Sequence, residues 1–192
     1  LRQPLEDGQV TISRAITSLT YPASMMLVAA MNPCKCGFHG DPLHQCLCTP
    51  HQIQTYRARV SGPLMDRIDI HIEVPRVDYE KLSGNKLGET SESIRKRVQT
   101  ARDIQTQRYS SIRTSNIESS NIICNADMRI GEVRQFCQLQ PEGQSLMRSA
   151  MSQLNLSARA YHRILKLSRT VADLAGSEEI QSTHLAEALQ YR

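Results

Sequence analysis

The sequence predicts an α/β segment followed by an all-helical segment, and three features of the 192-residue chain support this division. An unbroken apolar run over residues 25–31 ends at Asn32-Pro33 and is typical of a strand buried on both faces of a parallel sheet. Residues 68–74 alternate apolar and polar side chains, which predicts a strand with one exposed face. From residue 92 onward, apolar residues recur at helical spacing.

The composition is that of an ordinary globular protein, with 40% hydrophobic and 22% charged residues. The chain has neither a signal peptide at its start nor a run of about 20 apolar residues. We therefore expect no membrane span and a cytoplasmic location. A net charge of +4 permits an anionic partner without requiring one. The first residue is not Met, so we expect the chain to be a fragment.

The elements of the first part are predicted from short local patterns. A glycine after an acidic residue ends the first helix at Asp7-Gly8, and β-branched alternation predicts the first strand. The cysteine-rich segment before Pro50 is predicted to be a loop. The predicted elements are a helix over 1–6, a strand over 10–13, a loop over 20–24, the buried strand over 25–31, a helix over 52–60 and a strand over 68–74.

Helices of the second part are predicted from apolar periodicity and from residues suited to helix ends. Asn125, Ser157 and Thr183 are predicted N-caps, and Pro141 is predicted to occupy the first turn of a helix. Gly176 is predicted to end the longest helix. The predicted helices run over 93–109, 126–139, 141–154, from 157 to Gly176 and from 183 onward, with irregular structure over 110–123.

Four of the six cysteines form two close pairs that suit a metal site. In a chain without a secretion signal, such a cluster favours a metal over disulfides, and two pairs of thiols can surround one tetrahedral zinc ion. Two alternatives stay open: a loop of free thiols, or a site in which His39 or His44 replaces one thiol. The predicted ligands are Cys34, Cys36, Cys46 and Cys48, whereas Cys124 and Cys137 are predicted to be ordinary buried thiols.

Three polar residues occupy positions that suit phosphate chemistry, and each also has a simpler explanation. Asn32 follows the predicted buried strand, where open sheets bind ligands, although its amide can instead cap a turn. Arg67 lies between Asp66 and Asp69, either presented to a phosphate or paired with one of these carboxylates. Arg159 lies in the first turn of a helix, where its charge opposes the helix dipole. A bound anion at that helix end would explain its presence, and the simpler explanation is a solvated or paired arginine.

Four motifs together resemble one family, the magnesium-chelatase-like AAA+ ATPases, and within it the ComM/YifB competence proteins. The resemblance covers essentially the whole chain, and its motifs stand in the family's order. The cysteine pairs also match the family's CxCG and CxC loop, with Lys35 where the family often has Pro. The motifs are LRQPLEDG over residues 1–8, VAAMNPC over 28–34, SGPLMDRID over 61–69 and LSARA over 156–160.

The resemblance implies a fold, and it implies roles for the three polar residues. Asn32 resembles sensor 1, Arg67 the arginine finger acting on ATP held by the neighbouring protomer, and Arg159 sensor 2. Asn32 and Arg159 are thereby implied to bind nucleotide. Implied domains are the C-terminal portion of an AAA+ α/β core over 1–75, a linker over 76–91 and a helical lid over 92–192.

The resemblance also implies a function, a homo-hexameric motor that uses ATP with Mg²⁺ to act on DNA. The family activity is that of a branch-migration helicase in recombination of incoming DNA during natural transformation. Because the family's P-loop and Walker B strand precede the first motif, and no GxxxxGKS/T pattern occurs here, we expect this chain alone to be inactive. Two alternatives remain, a chelatase-type remodeller of a partner protein and a zinc-stapled binding module without catalysis.

Overall fold

The structure is a computed structural model that describes residues 2–14, 17–77, 83–84, 88–115 and 122–192. The predicted linker over 76–91 and the predicted irregular segment over 110–123 therefore lie partly outside the described residues. Mostly helical, with one small sheet, the chain forms two compact units. The first unit is Leu1–Ile68 with Val74–Arg76, and the second is Asp69–Glu73 with Val77–Arg192.

The first unit begins with a short helix and a β-hairpin. Helix α1 (Arg2–Asp7) ends at Gly8, whose φ of 62° closes the helix and whose N–H donates to Pro4 O at 3.1 Å. Strand β1 (Gln9–Arg14) pairs antiparallel with β2 (Thr17–Pro22). The predicted first helix, apart from Leu1, and the predicted first strand are confirmed.

The predicted loop over residues 20–24 is wrong in its first half, because residues up to Pro22 belong to β2. Cross-strand hydroxyl pairs link the two strands of this exposed hairpin. Thr11 Oγ1 lies 3.0 Å from Thr20 Oγ1, and Ser13 Oγ lies 3.0 Å from Ser18 Oγ. Sequence reasoning missed the alternation of Leu19 and Tyr21 with polar residues in β2, where these two residues stand opposite Ile12 and Val10 of β1.

Helix α2 (Pro50–Arg57) and the single turn α3 (Gly62–Met65) complete the first unit. Thr49 caps α2 through a reciprocal pair of hydrogen bonds: Gln52 N–H donates to Thr49 Oγ1 at 3.3 Å, and Thr49 N–H donates to Gln52 Oε1 at 3.0 Å. The predicted helix over 52–60 is confirmed as a helix. It starts two residues earlier because Thr49 caps it and Pro50 fits its first turn.

The two predicted core strands are wrong for this structure. Residues 25–31 and 68–74 adopt neither helix nor strand, and β1 and β2 make up the one sheet among the described residues. The side chains of Met26 and Val28 are 89% and 82% exposed. A strand of a parallel sheet needs neighbours on its edges and helices on its faces. The described part of the chain supplies neither to these segments.

The second unit is helical and holds the apolar core. Its helices pack around side chains such as Tyr109, Ile164 and Leu185, all at most 1% exposed. None of the described helices is long and apolar enough to cross a membrane. The elements are α4 (Ser91–Ser115), a 3₁₀ turn (Asn125–Asp127), α5 (Ile130–Phe136), α6 (Pro141–Gln153), α7 (Ala158–Leu174) and α8 (Ser182–Gln190).

The predicted ends of two of these helices are confirmed. Ser157 caps α7, with Ala160 N–H donating to Ser157 Oγ at 3.2 Å. Gly176, with a φ of 68°, follows the end of α7, and Pro141 begins α6. Ser157 acts through its own side chain, and Gly176 and Pro141 act through their own backbone geometry, so a local pattern can reveal all three.

Other predicted helix ends are wrong. Asn125 begins a 3₁₀ turn instead of capping a long helix, and the predicted helix over 126–139 is reduced to α5. Thr183 lies inside α8, where Gln181 is the N-cap residue. The predicted irregular segment is also wrong at its start, since α4 continues to Ser115.

A buried group of polar side chains joins α4, the 3₁₀ turn and α7. Asp173, which is 2% exposed, accepts hydrogen bonds from Arg108 Nη1 at 2.8 Å, Arg169 Nε at 3.0 Å and Asn125 Nδ2 at 2.8 Å. Tyr109 donates its hydroxyl to Asn125 Oδ1 at 2.6 Å. Asn125 is thus used inside the core, which explains why its side chain does not cap a helix. We call these five residues the Asp173 network.

The pKa of Asp173 follows from two opposing effects. Burial raises the pKa of this carboxyl, but hydrogen bonds from Arg108 and Asn125 favour its charged form more strongly, so the pKa lies below its ordinary value. A carboxyl whose pKa is lowered by folding stabilises the folded state above its unfolded-state pKa. That contribution is lost as pH falls through the lowered folded-state value.

We expect Asp173→Ala to lower the free energy of unfolding by about 3–5 kcal/mol, because it leaves the buried guanidinium of Arg169 and the part-buried one of Arg108 without their carboxylate. Asp103→Ala, which removes an exposed carboxylate from α4, should change the stability by less than about 0.5 kcal/mol. Chemical denaturation at neutral pH measures both.

Wild type should also lose stability below about pH 4, and the Asp173→Ala variant should lose less. Equal pH profiles would contradict this account.

Candidate functional site

The four paired cysteines meet in the first unit. Cys34 Sγ lies 3.3 Å from Cys36 Sγ and 3.7 Å from Cys46 Sγ, and the last two sulfurs are 3.6 Å apart. With Cys48, all four sulfurs lie within 4.8 Å of one another. A tetrahedral zinc ion with Zn–S bonds of about 2.3 Å holds its sulfurs about 3.8 Å apart. The thiols therefore have the spacing of a four-thiolate metal site, and these distances exceed the roughly 2.05 Å of a disulfide.

Glycines shape the loop that brings the two cysteine pairs together. Gly37 has a φ of 88°, and its N–H donates to Cys34 O at 3.1 Å, which closes a tight turn around the first pair. Gly40 has a φ of 87°, and the next residue, Asp41, donates its N–H to Phe38 O at 3.2 Å. These two turns reverse the chain, so the second pair returns to the first.

Asp41 fixes the far side of the loop. Its Oδ1 accepts the N–H groups of Leu43 at 2.7 Å and His44 at 3.0 Å, and these bonds hold the pKa of Asp41 below its usual value. Arg76 donates to His44 Nδ1 at 2.9 Å and lies 3.6 Å from Asp41 Oδ2. The His44 ring also stacks on Phe38 at a centroid distance of 5.0 Å. His44 thus supports the loop from outside the thiol cluster.

The cluster contains four thiols and no imidazole among the described residues, which favours the four-cysteine ligand set over the alternatives with His39 or His44. Its thiols hold their protons unequally. The backbone N–H of Phe38 lowers the pKa of Cys36 to about 6. For Cys46, a backbone hydrogen bond at Cys48 lowers the pKa, but lost solvation and neighbouring thiols raise it to about 12. Four thiolates this close need a cation to ionise together.

Arg67 lies at the turn after α3, and Glu6 of α1 is its partner. Arg67 Nη2 is 2.6 Å from Glu6 Oε2, and Nη1 donates to the carbonyl of Pro63. The Arg67 side chain is only 9% exposed, against 34% for Glu6. Sequence reasoning offered Asp66 or Asp69 as partner and missed Glu6. The one signal for Glu6 was its position near the end of the predicted first helix, and this position does not indicate a partner 61 residues away.

Asn32 and Arg159 are both exposed. Asn32 follows the extended segment 25–31 and lies beside the cysteine loop, since a Cβ at Gly37 would be 4.0 Å from Asn32 Nδ2. Arg159 is in the first turn of α7, next to the capping residue Ser157. Asn32 and Arg67 belong to the first unit and Arg159 to the second, so the three predicted site residues are divided between the two units.

Three basic residues that follow Arg159 on α7 make contacts within the second unit. Arg163 pairs with Asp69, and Lys166 Nζ donates to Ala126 O at 2.8 Å. Burial lowers the pKa of Lys166, and the nearby charge of Arg163 adds to the effect. Arg169 belongs to the Asp173 network and is 2% exposed. These three basic side chains are therefore held by contacts within the unit.

The remaining two cysteines lie outside the cluster. Cys137 is buried, as predicted, and burial raises the pKa of its thiol to about 12. Cys124 is half-buried instead of buried, and its sulfur lies 3.3 Å from Asp127 Oδ2. Neither thiol belongs to the four-cysteine group.

Comparison with known proteins gives the family. The profile described as magnesium chelatase, subunit ChlI, matches residues 1–82, and that described as magnesium chelatase, subunit ChlI C-terminal, matches residues 88–192. The chain therefore belongs to the magnesium-chelatase-like family, in the group that contains ComM and YifB. The family is of the AAA+ type.

Three relatives illustrate the match. Competence protein ComM of Haemophilus influenzae is 42% identical over 194 residues, and YifB of Escherichia coli is 38% identical over 193. The Rv2897c protein of Mycobacterium tuberculosis is 33% identical over 192 residues. Each match covers 100% of this chain but only 35–36% of the relative. The chain thus spans about a third of the length of these relatives.

Proposed function

We propose that this chain is part of an ATP-dependent, hexameric AAA+ motor acting on DNA, in which Arg67 serves as an arginine finger toward ATP held by a neighbouring protomer. The observation that carries the proposal is the position of Arg67. It is a permanently charged side chain held at a short turn by the carbonyl of Pro63, in a chain whose two parts match the magnesium-chelatase profiles in order.

The chemistry explains why an arginine suits this position. Transfer of a phosphoryl group spreads negative charge over the phosphoryl oxygens and the bridging oxygen of the leaving group. A planar guanidinium can place two N–H donors on such oxygens and does not lose its charge at any physiological pH. The backbone N–H of Arg67 donates to Leu64 O at 3.0 Å, which continues the turn of α3 and fixes where the side chain starts. The P-loop and the Mg²⁺ ligands would come from sequence outside this chain.

Asn32 and Arg159 are the proposed sensor residues that contact the nucleotide. An exposed carboxamide can orient the attacking water as sensor 1, because it carries both a donor and an acceptor. Arg159, as sensor 2, lies in the first turn of the 17-residue helix α7. Backbone N–H groups at a helix start favour an anion, and a phosphate there would also offset the unfavourable position of an arginine.

The cysteine cluster is proposed to hold a structural zinc ion. Cys34, Cys36, Cys46 and Cys48 fit the ion in sulfur spacing and in donor type. Zinc would supply the positive charge that lets all four thiols ionise, and four thiolates leave no open coordination position for a substrate. Its role would be to fasten the loop between Asn32 and α2.

DNA is the proposed substrate because the relative from Haemophilus influenzae is named a competence protein. Within that process, branch migration during recombination of incoming DNA is the step that an ATP-driven ring motor would perform. A second candidate, an ATP-driven remodeller of a partner protein, is favoured by the description of the matching profiles as magnesium chelatase subunits. The two candidates differ in whether DNA stimulates ATP hydrolysis.

In the full-length protein, we expect Arg67→Ala to reduce DNA-stimulated ATP turnover by roughly 10³-fold while leaving nucleotide binding intact, because the arginine acts on the transition state. Arg59→Ala, which removes an exposed arginine from the same unit, should leave turnover unchanged. Steady-state hydrolysis and binding of a fluorescent ATP analogue measure the two effects. Wild-type turnover in Arg67→Ala would refute the finger role.

The DNA substrate is tested by comparing turnover with branched DNA, linear duplex DNA and no DNA. The motor proposal predicts the strongest stimulation by branched DNA. Equal turnover in all three conditions would count against a DNA motor and favour the remodeller. Failure of the protein to hydrolyse ATP at all would favour a zinc-stapled binding module.

We expect the purified protein to contain about one zinc ion per chain, because four thiolates form one closed site. Cys46→Ser should lose most of this zinc, whereas Cys124→Ser, which alters a cysteine outside the cluster, should retain it. Elemental analysis combined with thiol titration measures both. A wild-type protein in which all four cluster thiols react without a chelator, and without metal release, would contradict the site.

A further inference from the structure

We propose that the Glu6 carboxylate takes the place of a phosphate on Arg67 and holds this arginine in an inactive pair until a phosphoryl group replaces the carboxylate. This inference rests on the proposed function, since it assigns a positioning residue to the same arginine. The hydrogen-bond distance of 2.6 Å between Arg67 Nη2 and Glu6 Oε2 is that of a close charge-assisted pair. Carboxylate and phosphoryl oxygens are equivalent acceptors for a guanidinium, so one can take the place of the other.

The two side chains of the pair differ in exposure. Arg67 is 9% exposed, whereas Glu6 is 34% exposed and forms the solvent-facing half of the pair. An anion that approaches Arg67 past Glu6 therefore meets a like charge first. Repulsion between two anions a few ångströms apart opposes binding as long as the pair is closed. Arg67 reaches an incoming phosphate only when Glu6 moves aside.

Two contacts of Arg67 differ in kind, and this difference makes an exchange possible. Nη1 donates to the neutral carbonyl of Pro63, four residues earlier on the same turn, while Nη2 faces the charged Glu6 from α1. Opening the Glu6 contact leaves the carbonyl contact in place. The guanidinium then keeps its orientation while a new anion takes the place of Glu6.

The position of Glu6 explains why the pair re-forms after the anion leaves. Glu6 and Asp7 are the last two residues of α1, and the last turn of this helix carries no basic residue. Negative charge at a helix C-terminus is unfavourable. Arg67 supplies the missing positive charge from a distant part of the chain. Gly8, whose N–H donates to Pro4 O, fixes the end of α1 and thereby the place of Glu6.

The test compares Glu6→Gln with Asp7→Asn in the full-length protein. Each variant removes one carboxylate from the end of α1 and keeps the size of the side chain, and Glu6 is the residue that pairs with Arg67 Nη2. Glu6→Gln should raise ATP turnover without DNA by about three- to fivefold, with the rise in kcat and little change in KM. Asp7→Asn should leave both constants unchanged. Glu6→Asp, which shortens the reach by one methylene, should raise kcat in the same direction.

A double variant shows whether Glu6 acts through Arg67. Glu6→Gln combined with Arg67→Ala should have the same turnover as Arg67→Ala alone. If kcat is lower or unchanged in both Glu6 variants while Arg67→Ala is impaired, the inactive Glu6–Arg67 pair is refuted and the arginine-finger role of Arg67 is retained. Wild-type turnover in Arg67→Ala would instead refute the proposed function itself.

Discussion

The packing of the second unit depends on one buried carboxylate between two arginines. Asp173 lies on α7 and meets Arg108 from α4, 65 positions away, and Arg169 from one turn earlier on its own helix. Arg169 also donates to the carbonyls of Ser177 and Glu178, which holds the turn after α7. A charge buried this deeply is tolerated only when its partners are in place, so the network allows few alternative packings. It fixes α7, the helix that carries Arg159 in its first turn.

The first unit depends on a different constraint. Among its described residues, Cys34 alone is fully buried, and Cys36, Cys46 and Cys48 are half-buried around it. The centre of this unit is therefore a group of thiols and not an apolar core. Units that bury little apolar surface commonly obtain their stability from a bound metal. The proposed zinc ion would thus contribute to folding of the segment that presents Asn32, while the Pro63 carbonyl and Glu6 hold Arg67.

The sequence allowed prediction of features that depend on a few neighbouring residues. Ser157 as a cap, Gly8 and Gly176 as helix ends and the gathering of four cysteines follow from local chemistry. The strands over 25–31 and 68–74 failed because a buried strand requires partners that its own pattern cannot specify. Glu6 and Asp173 were missed for a related reason, since their arginines lie far away in the sequence. Local reasoning singled out Arg67 and the resemblance gave it a role, but neither indicated Glu6 as its partner within the chain.

The central claim is that Arg67 completes an active site on a neighbouring protomer. The most direct test mixes two inactive full-length variants, Arg67→Ala and a variant that cannot bind ATP. In a mixed ring, an intact nucleotide site of the first variant can face the Arg67 of the second. The account predicts that mixing restores ATP turnover well above the sum of the separate proteins. Turnover that stays at that sum, in rings shown to contain both variants, would contradict action across the subunit boundary.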